Sequence, residues 1–106
     1  METSYPFHVE EFYSNCFRIG YVTLADTEVA ALIHFLREEE DNPAIYDSSL
    51  EERYPDIYKK FDDAAIPLMD EMEALRTGEE IEEFGMYQAY LPESIITEAL
   101  GEDYRW

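Results

Sequence analysis

Positive charge is what this 106-residue chain has least of: seven Lys and Arg face 26 Asp and Glu, a formal net charge of -19. The shortage excludes a basic patch for nucleic-acid phosphates, and an anionic membrane would repel the chain. Histidine and cysteine are scarce as well. His8, His34 and the lone Cys16 supply neither the clustered ligands of a zinc site nor an internal disulfide. Glycine occurs only at positions 20, 78, 85 and 101, so the chain contains no phosphate-cradling glycine loop and no EF-hand calcium loop. Apolar runs stay far below the roughly 18 residues of a membrane span. Met1 to Pro6 lack the basic start and apolar run of a secretory signal. We therefore expect a cytoplasmic protein without metal or cofactor. Enzyme activity is not expected either, because carboxylate pairs are so abundant that none stands out as an acid–base couple.

Hydrophobic residues are nonetheless 46% of the chain and aromatics 15%, which separates it from acidic disordered segments, where aromatics are few. Residues 1–106 read as a single acidic globular domain, long enough to bury a core without staples. Its folding works against self-repulsion. Solubility alone asks for a net charge of only about 2 to 8 in magnitude, so the excess calls for another use.

The excess is uneven. Residues 1–25 carry a net charge of only -2 and are rich in aromatics, so this quarter is expected to supply core. FRIGYVTL, from Phe17 to Leu24, alternates Phe17, Ile19 and Tyr21 with Arg18, Gly20 and Val22 and reads as a strand. Before it, Val9, Phe12, Tyr13, Cys16 and Phe17 also fit helical spacing, and residues 9–17 read as a short helix or loop. Asp26 is a candidate N-cap for a helix to about Glu40, with Val29, Leu32, Ile33 and Leu36 as its apolar stripe. Ala44 to Ser49 reads as a loop. From Pro55 to Arg76, the residues Ile57, Phe61, Ala64, Leu68, Met72 and Leu75 keep one helical phase across Pro67, which predicts a single kinked helix. Ile81 to Leu91 reads as a second strand and Leu91 to Leu100 as a closing helix stopped by Gly101. The expected fold is α+β, with two or three antiparallel strands packed against three or four helices.

Two acidic runs stand where folding gains nothing from them. Glu38, Glu39, Glu40 and Asp41 fall at a helix C-terminus, where negative charge opposes the macrodipole. Glu79, Glu80, Glu82 and Glu83 form the other, between helix and strand. Asp47, Glu51 and Glu52 are candidates to join the first run. Asp62, Asp63, Asp70 and Glu73 fall on the long helix opposite its stripe, with Lys59 among them, and Lys60 is placed to pair with Asp56. Tyr54, Tyr58, Tyr87 and Tyr104 are candidates for partial exposure beside carboxylates, as at interfaces. These 15 acidic positions are the expected partner-binding residues. His34 lies on a polar helix face, and Cys16 reads as a small core residue.

A domain of this length is roughly 33 Å across, and that length of duplex carries roughly 20 phosphate charges, close to the 19 counted here. In size, acidity and aromatic content the chain resembles the DNA-mimic inhibitors with which phages and mobile elements block restriction or CRISPR enzymes. The resemblance is compositional and carries over no residue. It implies a non-enzymatic inhibitor whose partner is a basic protein, a nucleic-acid-binding enzyme or complex, with no direct contact to nucleic acid or membrane. The alternative is another acidic binding module, such as an immunity protein for a basic toxin or an adaptor for a basic partner.

Overall fold

A computed structural model describes residues 1–11, 17–39, 43–74 and 87–101, and the side chain of Glu39 is outside the described part. Three antiparallel strands and four helices form one small α+β domain. β1 (Glu2–Glu11) and β2 (Phe17–Ala25) make a long hairpin that leads into α1 (Asp26–Glu39). A short α2 (Leu50–Arg53) and the long α3 (Pro55–Ala74) follow, then β3 (Tyr87–Tyr90) and α4 (Glu93–Leu100). The sheet order is β2-β1-β3.

β1 replaces the helix or loop expected before Phe17, as far as Glu11; residues 12–16, with Cys16, lie outside the described part. Its inward set is Tyr5, Phe7, Val9 and Glu11, of which the last three are buried. Two-residue spacing is thus the true period there. Pro6 is tolerated because β3 reaches only His8 to Glu11, so at Pro6 the strand has a single neighbour.

β2 is a strand as expected, but its core face is not the aromatic one. Gly20, Val22 and Leu24 are buried, while Phe17, Ile19 and Tyr21 are 52%, 44% and 66% exposed. The reason is α3. Its Leu68 and the ring of Phe7 close over Gly20, where a Cβ would lie 2.7 Å from Phe7 Cε1 and 2.9 Å from Leu68 Cδ1. Phe7 also packs edge-on against Phe61 of α3, with centroids 5.2 Å apart. Only the face carrying a glycine lets the helix approach so closely.

α3 is a single helix through Pro67, as expected, and buries Ile57, Phe61 and Met72 of the stripe; Ala65 is buried where Ala64 was expected, and Ala64 and Leu68 are partly buried. Leu75 and Arg76 lie outside the described residues. α1 buries Leu32, Phe35 and Leu36, with Val29 and Ile33 at the flanks of the stripe. Its start is capped by Glu28, whose Oε1 accepts the Ala25 N–H at 2.8 Å, rather than by Asp26. α4 buries Ile95 and Ile96 against the core, and Gly101 ends it at a φ of 99°.

Four cations tie distant elements together. Arg18 of β2 meets Glu71 of α3 at 3.2 Å, and Arg53 of α2 meets Glu38 of α1 at 2.5 Å. Lys60 of α3 meets Glu28 of α1 at 2.7 Å, displacing the expected Asp56 pairing. Arg37 of α1 donates to the Ala99 carbonyl at the end of α4, at 3.2 Å, where a cation complements the helix dipole. No helix among the described residues is long and apolar enough to cross a membrane.

Candidate partner-binding surface

The chain entering α2 runs along the free side of β3. Ile45 N donates to Ala89 O at 2.7 Å, Leu91 N donates to Pro43 O at 3.0 Å, and Ala44 bridges Tyr90. This pairing lays Tyr46 and Asp47 beside Gln88. Gln88 is buried and fully used: its Nε2 donates to Asp47 Oδ2 at 2.7 Å, and its Oε1 accepts the N–H groups of Tyr46 and Ala89, each at 3.0 Å. Tyr46 extends the chain of bonds to α3 by donating its hydroxyl to Asp62 Oδ1 at 2.7 Å. On the other side, Tyr90 donates to Glu10 Oε1 at 2.9 Å, and His8 Nε2 lies 3.3 Å from Glu10 Oε2.

Glu10, Asp47 and Asp62 are thereby oriented by donors that include two phenols and an amide. Burial, then the bond to Asp62, pushes the Tyr46 phenol up. Burial, then Glu10, pushes Tyr90 up to about 12. Tyr58 packs edge-on to Tyr46 at 6.1 Å and is also pushed up, first by burial and then by the charges of Asp62 and Glu51. The phenols therefore stay protonated at neutral pH and serve as donors.

The expected site residues distribute unevenly. Asp62 and Glu51 lie close to Tyr58, with Asp62 bonded by Tyr46, while Asp47 is held by Gln88 and faces Tyr90. Glu38 of the first run is drawn towards α2 by Arg53 and also contacts the exposed His34 one turn earlier. Glu52, Asp63, Asp70 and Glu73 are exposed. Glu40, Asp41, Glu79, Glu80, Glu82 and Glu83 lie outside the described residues, as do the Glu39 side chain and Tyr104. Tyr54, Tyr58 and Tyr87 are half-buried. Glu10 was missed because residues 9–17 read as a short helix or loop; two-residue alternation from Tyr5 would have placed it outside, opposite Phe17. No group of three or more potential metal ligands forms among the described residues.

A second surface lies on the outer side of the hairpin. There the exposed row Phe17, Ile19 and Tyr21 runs beside Glu10, His8 and Pro6 in register. A cleft of about 710 Å³ opens between Pro6, His8 and Ile19 on the sheet and Glu93, Ser94, Thr97 and Glu98 on α4.

No protein-family model matches the chain, and no match is found among curated proteins or solved structures.

Proposed function

We propose that the protein is a non-enzymatic inhibitor that mimics the phosphate surface of DNA or RNA and blocks a basic nucleic-acid-binding enzyme or complex, as anti-restriction and anti-CRISPR proteins do. The observation that carries the reading is the set Glu10, Asp47 and Asp62, held in place by Tyr90, Gln88 and Tyr46. Uncharged donors orient these carboxylates without cancelling them. Four of the few cations are meanwhile engaged in surface links that tie elements together. The net charge of -19 is thus presented to a partner rather than neutralised. The molecule measures 44 × 27 × 24 Å, longer and narrower than the roughly 33 Å sphere expected from chain length. Such a shape suits a channel built for a duplex.

Lys and Arg side chains that hold phosphates would meet carboxylates instead, and complementary fields would make association fast and salt-sensitive. The immobilised protein should capture basic nucleic-acid-binding proteins from host lysate, and added duplex DNA should release them. Recovery only of proteins indifferent to DNA would overturn the mimic. That outcome would favour a second reading, an acidic binding module such as an immunity protein or adaptor, for which the exposed row of Phe17, Ile19 and Tyr21 speaks.

A further inference from the structure

The outer face of the hairpin combines an apolar surface, a concavity and charge of one sign. Phe17, Ile19 and Tyr21 are large, exposed and in one row of edge strand β2. The His8 ring stacks on Phe17 with centroids 5.1 Å apart and planes 16° from parallel. Ile19 then forms part of the cleft, whose α4 side carries Glu93 and Glu98. Both glutamates are exposed and neither side chain forms an ion pair among the described residues; Arg37 reaches only backbone carbonyls there, Ala99 O at 3.2 Å and Glu98 O at 3.5 Å. Contiguous exposed apolar side chains beside a pocket mark interaction sites.

Charge decides the occupant. A second copy would bring another -19 against this face, and like charges juxtaposed across an interface oppose association. An acidic partner would set like charge against Glu93 and Glu98, and a neutral one would return hydrogen bonds at most, with no opposite charge. A basic segment returns ion pairs at the rim while its apolar side chains fill the centre, the usual division between an interface core and its edge. We infer that this face docks a basic, amphipathic segment of a partner protein, with an apolar side chain entering the cleft over Ile19 and flanking Lys or Arg groups meeting Glu93, Glu98 and Glu10. The inference takes from the proposed function only that the partner is basic. It adds an apolar anchor that duplex DNA itself could not offer, so the inhibitor would outlast salt that screens the mimicry alone.

Two labelled peptides of equal length and charge test it by fluorescence anisotropy against the full chain: an amphipathic Leu/Lys helix, and the same peptide with every Leu replaced by Ser. The Leu peptide should bind at least about tenfold tighter. Ile19→Ser, which removes the apolar floor, and Thr97→Trp, which fills the cleft, should each bring that ratio close to one. Ile66→Ser, an exposed apolar position of α3 that does not line the cleft, should leave it unchanged. Circular dichroism verifies that the variants remain folded, and two independent substitutions guard against one of them unfolding. Equal binding of the two peptides, a preference indifferent to both substitutions, or sedimentation showing a dimer that Ile19→Ser dissolves would each overturn the docking face. Those failures are separate from failure of the mimic, which is read from release by DNA and not from the peptide ratio.

Discussion

β2 carries two rows of side chains that are similar in apolar character and opposite in fate. Gly20, Val22 and Leu24 are sealed beneath α3, whereas the bulkier Phe17, Ile19 and Tyr21 stand in solvent. Burial here follows fit to a neighbouring helix rather than side-chain size. The smallest residue of the strand selects the inner face, because a close approach of α3 needs it, and the larger row is left in solvent.

The comparison breaks most visibly where the inner face loses its filling. Phe61→Ala should cost about 3 to 5 kcal/mol in urea unfolding, since the ring is fully buried and packs on Phe7. An effect below 1 kcal/mol would mean that the inner face is not the core. Gly20→Val should cost about 1 to 3 kcal/mol by overpacking, because its added atoms meet the Phe7 ring and Leu68. Tyr46→Phe should cost about 1.5 kcal/mol, the low end for a hydrogen bond to a charged group because Asp62 is only half-buried. At the small end, Ile19→Ser and Tyr21→Ser should move stability by no more than about 0.5 kcal/mol. A loss as large as that of Gly20→Val would show that the outer row is packed after all.

Alkali offers a different probe. The phenols of Tyr46 and Tyr90 ionise at higher pH folded than unfolded, where the ordinary value is 10.0, and Tyr90 is pushed up to about 12. The stability they supply is therefore complete below pH 10; the part from Tyr90 is lost as pH rises from there to about 12, and the part from Tyr46, raised further, outlasts it. Unfolding followed across that window should be steeper for the natural chain than for the Tyr46→Phe, Tyr90→Phe double variant. Equal slopes would show that the phenols are not the brace.

The helices were legible wherever one phase persisted. Ile57, Phe61, Leu68 and Met72 keep a single stripe through Pro67, and α3 follows that stripe. Phe35 was not singled out because its burial depends on a neighbour the sequence did not announce: Tyr54 after α2 packs edge-on to it at 6.1 Å, with the Arg53 guanidinium 5.4 Å above its ring. β1 was obscured because its Val9 also fits a helical spacing with Phe12, Tyr13, Cys16 and Phe17, residues beyond the strand's described end. β2 was legible as a strand yet ambiguous in face, since both phases hold apolar residues. In the candidate site the carboxylates were visible as charge, but their partners were not. Tyr90 and Glu10 are 80 positions apart, Gln88 and Asp47 are 41 apart, and only the pairing of β3 with its two flanking segments brings them together.

The four tying cations make net charge and charge placement separate quantities. Replacing Lys59, exposed on α3 with no such link among the described residues, or replacing Lys60, bonded to Glu28, alters the total by the same single unit. Only the second change unfastens α3 from α1. The total can therefore be made more negative at Lys59 without touching a link between elements, whereas the same change at Arg18, Arg37, Arg53 or Lys60 removes one.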